Sequence, residues 1–412
     1  MKNTTMNRWL IVLGTIIVQM GLGTIYTWSL FNQPLVSKFG WELSSVAMTF
    51  SITSFSLAIA TLFAGKLQEQ WGIRKLISIA GIVLGLGLIA SSQVHSLALI
   101  YLLAGIVVGF ADGIAYITSL SNLIKWFPER KGLISGVSVG AFGMGSLIFK
   151  YINSGFISSM GVSQAFLLWG AIVMIMVVAG AQLVKEAPIP VQDNTNGNVN
   201  LNNTEVNFSV KEMLKTKEAY VLFIIFFTAC MSGLYLIGIV KDIGVQMVGL
   251  SINTAANAVA MIAIFNTAGR IILGALSDKV GRLRVVAGSL AVTSVAVLVL
   301  SFAHLNFGIF FACVAGIAFC FGGNITVFPA IVGDFFGLKN HSKNYGIIYQ
   351  GFGLGALSGS FIASYLGGFK PTFIVIGVLC MISLILIMTI QPPIRNQARK
   401  EMLQLKPQSK LV

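Results

Sequence analysis

The 412-residue chain is poor in charge, with 10% of its residues Asp, Glu, Lys or Arg. Soluble domains carry about 25%, so a water-soluble fold is excluded. Acidic residues are the scarcer sign, 13 against 27 basic ones. The four cysteines (Cys230, Cys313, Cys320 and Cys380) all fall in apolar runs without metal-type pairing, which argues against a disulfide framework or a zinc site. The three histidines, His95, His304 and His341, stand at run ends or in connections and read as surface residues. There is no phosphate-cradling loop, metal-ligand cluster or nucleophile constellation, so neither an enzyme, a primary pump nor a cofactor is expected.

What is abundant is apolar: 56% of residues are hydrophobic and the mean hydropathy is +0.87. Twelve apolar runs lie near 8–33, 43–66, 75–93, 96–125, 131–157, 163–184, 218–246, 253–276, 284–303, 306–334, 343–369 and 371–391. Each is long enough to cross a bilayer as a helix of about 20 residues. The first run is too long for a signal-peptide core and is followed by no small-residue cleavage site, so it should stay attached. The net charge of +14 invites a nucleic-acid reading, but 22 of the 27 basic residues fall in the termini and the even-numbered connections. That is the positive-inside pattern, which places both termini in the cytoplasm.

Arg270 breaks the pattern. It stands inside the run near 253–276 with no carboxylate one turn away. A guanidinium stays charged at any physiological pH. At membrane depth it costs several kcal/mol unless it faces a cavity or a partner. It reads as the socket for an anion that comes and goes.

An asparagine-rich stretch, with seven Asn among residues 194–207, is too polar to pack and divides the runs six and six. The expected organisation is a six-helix bundle over 1–187, a linker over 188–216, a second bundle over 217–392 and a tail over 393–412. The halves repeat. Gly65-x-x-x-Glu69-x-x-Gly72-x-Arg74 recurs, 209 residues on, as Gly274-x-x-x-Asp278-x-x-Gly281-Arg282-x-Arg284. Phe142-Gly-x-Gly recurs as Phe352-Gly-x-Gly at an offset of 210. Such a duplication encloses a midplane site between halves that rock.

These paired loops make the chain resemble the major facilitator superfamily along its whole length. The resemblance implies an all-α integral membrane fold of twelve transmembrane helices in two pseudo-symmetric six-helix bundles. It gives Glu69, Arg74, Asp278 and Arg282 a gating role. Gly23-Thr-Ile-Tyr26-Thr-Trp28, Ala111-Asp112-Gly113, Asn122-Leu-Ile-Lys-Trp126-Phe-Pro128-Glu-Arg130-Lys131 and Phe335-Phe-Gly-Leu-Lys-Asn340-His-Ser-Lys-Asn344-Tyr345 are similar to the oxalate/formate antiporter family. Within it the chain looks most like an inner-membrane branch induced by pyruvate in enteric bacteria, and it is related to the monocarboxylate transporters. By that resemblance Arg270 matches an arginine that holds a substrate carboxylate. The family's second cation, a lysine, has no counterpart here; Phe352 takes its place. One arginine suits one carboxylate, whereas a dianion would leave a buried net charge. The aspartate that many monocarboxylate transporters carry one turn before the arginine is Asn266 here.

Tyr26, Tyr116 and Tyr349 are expected on the cavity wall with Phe352, Asn266 and Asn324, and Trp28 and Tyr235 are weaker candidates. Asp112 is the one carboxylate deep inside a span of the first half. Burial disfavours its ionised form, which makes it a proton-coupling candidate. Lys150, Lys241 and Asp242 are expected near the outer interface. The function expected is secondary transport of a small monocarboxylate, such as pyruvate, lactate or formate, across the bacterial inner membrane, with Arg270 binding it. The alternatives are oxalate:formate-type exchange, anionic metabolite or drug efflux, and a non-transporting sensor. The partners implied are the small organic anion, a coupling proton or counter-anion and the lipid bilayer, with no nucleic acid, no metal and a monomeric protein.

Overall fold

The computed structural model describes residues 8–188 and 207–393. The expected tail from 394 and the linker between 189 and 206 lie outside the described residues, as do the side chains of Lys241 and Asp242. The first half begins with α1 (Arg8–Gly23), which passes through a 3₁₀ turn (Thr24–Thr27) into α2 (Ser29–Phe39). Then come α3 (Leu43–Trp71), α4 (Ile73–Ser91) and a short α5 (Leu97–Ile100), which leads through a π-helical turn into α6 (Val108–Trp126). α7 (Lys131–Leu183) closes the half, and α8 (Val210–Met213) precedes the second. The second half comprises α9 (Lys217–Gln246), α10 (Ile252–Val280), α11 (Arg282–Phe302), α12 (Phe307–Phe336), α13 (His341–Ile348), α14 (Gln350–Leu366) and α15 (Phe369–Thr389).

α7 is 53 residues long, about 80 Å at 1.5 Å per residue, far more than the ~30 Å of a hydrocarbon core. Gly161, at φ 80° and ψ 168°, breaks it into two limbs, between the runs expected at 131–157 and 163–184. No side chain blocks a Cβ there; the positive φ is what requires glycine. Among the described residues, eleven helical segments are long and apolar enough to cross a membrane, and one of them is this broken 56-residue stretch, Pro128–Leu183. The twelve crossings expected from the sequence follow.

Lipid offers these helices no hydrophobic reason to associate, so close packing and small residues hold them together. A Cβ at Gly14 of α1 would lie 2.8 Å from the Gly180 carbonyl of α7, and one at Gly85 of α4 would lie 2.8 Å from the Gly170 carbonyl. Gly109 and Gly113 set α6 directly on the α3 backbone at Thr53 and Leu57. Outward-facing apolar side chains such as Ile175, Val295 and Met388 are exposed, as a lipid-facing surface requires.

The halves meet along two equivalent seams, α10 on the first limb of α7 and α3 on α13 and α14. Gly136 of α7 abuts the Arg270 carbonyl, and Gly346 abuts the Thr61 carbonyl. Gly136 and Gly346 are related by the 210-residue offset, and Thr61 and Arg270 by the 209-residue offset. The scaffold contact is shared; the cation is not.

The end of the linker is better organised than its composition suggests. Ser209 and Glu212 form a reciprocal capping box on α8. The Phe208 N–H donates to the Phe336 carbonyl, and Asn340 and Asn344 donate to the Phe208 carbonyl. The backbone hydrogen bonds here are satisfied by α12 and α13, which a reading of local polarity could not reveal.

Candidate functional site

Arg270 is buried, 3% exposed, and points across the seam at α7. Its Nη1 donates to the Val139 carbonyl at 2.7 Å, and its Nε has no partner. Glycine makes room for it: a Cβ at Gly143 would lie 3.2 Å from Nη1. Among the described residues Arg270 forms no ion pair, so its charge is met only by dipoles.

Aromatic rings surround it. α1 and α7 cross closely where Gly23 meets the Phe142 backbone and Gly145 meets Met20. That crossing places Tyr26, in the 3₁₀ turn, 5.2 Å from the Phe142 ring, with Phe50 on its other side at 5.8 Å. The Tyr26 hydroxyl lies beside the Arg270 guanidinium and within electrostatic reach of Asp112. Tyr116 packs edge-on to Phe142 at 5.5 Å and meets Tyr349 at 5.5 Å across the interface between the halves. Tyr349 sits at the junction of α13 and α14, where the helix is locally irregular, and stacks on Phe352 at 5.1 Å. Tyr345 and Phe226 extend the cluster behind it. The structure therefore gathers Arg270, Tyr26, Tyr116, Tyr349 and Phe352 around one region. Phe142, Phe50, Tyr345 and Gly143 join the same region; the Phe142/Phe352 repeat is a sequence sign of Phe142 and Gly143 alone.

Other candidates are used differently. Asn266 donates to the Ala318 carbonyl of α12 at 3.3 Å, joining α10 to α12. Asn324 is buried on α12 with its carbonyl oxygen unpartnered. Trp28 is core, donating to the Val46 carbonyl and packing on Phe31 and Phe166. Tyr235 packs on Gly359 and Phe373, between α14 and α15. Lys150 is exposed and lies over the Tyr151 ring at 5.9 Å. His341 corrects the surface reading: it is fully buried, with Nε2 2.7 Å from the Pro329 carbonyl. Gly333 leaves room for the ring, which position near a helix end does not disclose.

The seam is closed at the end of the bundle that carries the basic connections, here called the basic face. Asp278 of α10 accepts from the Gly132 and Leu133 N–H groups at the start of α7, at 2.9 and 2.8 Å. A carboxylate at a helix N-terminus is favoured by the exposed N–H groups and the helix dipole. Arg282 bridges Asp278 and Asp334, and Lys131 reaches Asp334 at 3.0 Å. At the equivalent position Glu69 pairs with Lys343 at 2.6 Å. Gln350 donates to the Ala58 carbonyl and Thr61 hydroxyl, and Ser135 to the Thr326 carbonyl. Between described residues, the cross-seam hydrogen bonds run from Arg270 to the basic face. Arg74 is exposed and joins no ion pair among the described residues, whereas Lys131, Asp334, Lys343 and Gln350 are partners that sequence reasoning missed.

The sequence profile of the Major Facilitator Superfamily matches residues 11–264 and 221–410. The chain belongs to that superfamily. It is 46% identical over 356 residues to the uncharacterized MFS-type transporter YhjX of Escherichia coli (strain K12), covering 86% of this chain and 87% of that one. It is 27% identical over 414 residues to the oxalate:formate antiporter of Oxalobacter formigenes, covering 98% and 96%. It is 25% identical over 465 residues to apicoplast pyruvate carrier 1 of Toxoplasma gondii, covering 87% and 82%. Among solved structures, the superfamily transporter FucP in the outward conformation superposes with a TM-score of 0.71 at 12% identity, covering 92% of this chain and 97% of that one. The protein is a multi-pass membrane transporter, not an enzyme, and two of these relatives, the oxalate:formate antiporter and the pyruvate carrier, are named for small organic anions.

Proposed function

We propose that the protein carries a small monocarboxylate of the pyruvate, lactate or formate type across the bacterial inner membrane by alternating access, with Arg270 as the carboxylate anchor. The observation that carries this reading is a single buried guanidinium, unpaired among the described residues, facing the seam amid aromatic rings. One carboxylate neutralises it with fork geometry; a dianion would leave one buried charge, costing several kcal/mol. Tyr26, Tyr116, Tyr349 and Phe352 wall the site, and Asn266 and Asn324 lie behind it on α10 and α12. Both termini and the basic face are cytoplasmic by the positive-inside rule. The closed seam then faces the cytoplasm, so the anion enters from the other side. Asp278 and Arg282, with Asp334 and Lys131, hold that closure; Glu69 with Lys343 supports it, and Arg74 serves the same turn from outside the ion-pair network. The bundles extend over 1–187 and 217–392, and the working unit is a monomer.

Similarity over nearly the full chain to the oxalate:formate antiporter favours a second reading, exchange of oxalate for formate. Counterflow in proteoliposomes loaded with pyruvate, lactate, formate or oxalate separates the two. Counterflow with the monoacids and weak inhibition by oxalate supports the proposal. Strong oxalate exchange with none for pyruvate or lactate overturns it.

A further inference from the structure

Where the first half is filled, the second is hollow. A groove of about 670 Å³ lies between α10, α11 and α12, lined by Leu276, Gly288, Val292, Ala312, Ala315 and Gly316 among others. Leu276 and Val292 are exposed, so the groove opens on the side that meets lipid. At the 209-residue offset the first half carries Ile79, Leu103, Ile106 and Val107 where the second carries Gly288, Ala312, Ala315 and Gly316. In the first half Val107 closes onto Gly87 of α4, whereas a Cβ at Gly288 would meet nothing within 4 Å. Helices in lipid hold together by close packing. A gap left by four missing side chains and open to the bilayer is space for something other than protein.

Its shape and charge say what fills it. From Phe265 to Val280 the groove follows α10 for about 22 Å at 1.5 Å per residue, more than the ~15 Å depth of one leaflet. Among the described residues its one charged lining side chain is Arg284, at the basic face. Arg284 is exposed, joins no ion pair among the described residues and donates only to the Val280 carbonyl, at 3.4 Å. A guanidinium holds a phosphate with two parallel bonds, and the cytoplasmic leaflet is the anionic one. A second copy of the chain, set the same way up in the membrane, would bring another basic face to Arg284, since acidic residues number 13 against 27 basic. An anionic phospholipid matches both the apolar channel and the cation at its mouth.

We infer that this groove binds one anionic phospholipid of the cytoplasmic leaflet, with an acyl chain along α10, α11 and α12 and its phosphate on Arg284. All the lining residues belong to the second bundle, so the lipid travels with that bundle as the halves rock. Binding both states alike, it does not set the gate. The site is independent of the anion that Arg270 holds.

The test uses a phosphatidylglycerol with a diazirine in one acyl chain, bound to the purified full chain in detergent and photolysed. Peptide mapping should place the label on 284–292 and 312–320, well above the first-half counterparts 75–83 and 103–111. Unlabelled phosphatidylglycerol should compete for these segments, while phosphatidylcholine of the same chains and glycerol phosphate should compete at least about tenfold less well, the scale of one charge-assisted bond. Arg284→Gln should erase that preference. Gly288→Leu, whose side chain enters open space, should remove the label. Phosphatidylglycerol should also raise the melting midpoint of wild type, and neither variant should gain, each measured against itself without lipid. Equal labelling of the two halves, or labelling unchanged in Gly288→Leu, shows annular lipid alone and overturns the inference. So does a preference for phosphatidylglycerol that survives Arg284→Gln. Label that vanishes from the groove as the chain dimerises, followed by light scattering, gives the face to a second copy and overturns it too.

Discussion

Removing the Asp278 carboxylate should open the basic face. Its two bonds to the Gly132 and Leu133 N–H groups cross the seam at 2.9 and 2.8 Å, and its side chain is 17% exposed. A hydrogen bond to a charged group contributes about 1.5–3 kcal/mol, and partial exposure argues for the lower end. Asp278→Ala therefore weakens closure by about 2–4 kcal/mol, or roughly 30- to 1000-fold in the closed-to-open ratio at 1.4 kcal/mol per decade. Asp278→Asn keeps one acceptor and should fall between. Glu69 is the internal comparison. Its pair with Lys343 is 60% exposed on the carboxylate side, so Glu69→Gln should change closure by less than about 1 kcal/mol. Spin labels at Lys75→Cys and Arg284→Cys, exposed positions of the two repeats, report the separation; the four native cysteines are buried. Asp278→Ala should populate a longer distance that wild type lacks. An unchanged distribution, or a larger effect from Glu69→Gln, would refute the assignment of the gate to the capped α7 terminus.

Gly143→Val should push the guanidinium off the Val139 carbonyl, because a Cβ there lies 3.0 Å from the Thr267 hydroxyl and 3.2 Å from Arg270 Nη1. Pyruvate affinity should fall at least about tenfold, the scale of one lost charge-assisted bond. Gly155→Val, on the same helix with open space around it, should leave affinity unchanged in the same titration. Gly161→Ala should cost about 1 kcal/mol or more of stability through its positive φ, read as a lower melting midpoint; an unchanged midpoint contradicts the strain argument. The Ser209 backbone N–H and hydroxyl hold the Glu212 carboxyl below the usual carboxylate range. A lowered folded-state value means that the box supports α8 above the ordinary carboxylate pKa and is lost as pH falls through the lowered value. Hydrogen exchange at the Ser209 amide should accelerate over that acid window, beyond its intrinsic pH trend, and Glu212→Gln should remove the step.

Much of the architecture was legible because lipid makes hydropathy a direct signal. The runs marked the crossings, the 209- and 210-residue offsets marked the halves, and Arg270 stood out as a charge where charge is expensive. Inside the bundle that signal fails, since a face on lipid and a face on another helix are equally apolar. Position one turn from Asp112 set Tyr116 above Tyr235, but hydropathy could not show that Tyr116 meets Tyr349 across the halves while Tyr235 packs between α14 and α15. Asn266 sits one turn from Arg270 yet bonds α12, because spacing along a helix gives a face and not its neighbour. The partners Asp334 and Lys343 belong to pairs 203 and 274 residues apart in the chain, beyond any local pattern. Gly143 was visible only as a repeated glycine; that it makes room for a guanidinium needed the crossing of α7 and α10.

The most direct test is pyruvate binding and counterflow by wild type, Arg270→Gln and Arg270→Lys in parallel. Gln keeps hydrogen-bonding capacity without charge, and Lys keeps the charge without the fork. Loss of a buried charge-paired contact costs about 2–5 kcal/mol, so Arg270→Gln should lose at least about 30-fold in affinity and abolish counterflow, while Arg270→Lys should retain weak binding. Pyruvate binding and counterflow in Arg270→Gln equal to wild type would contradict the assignment of Arg270 as the anion anchor.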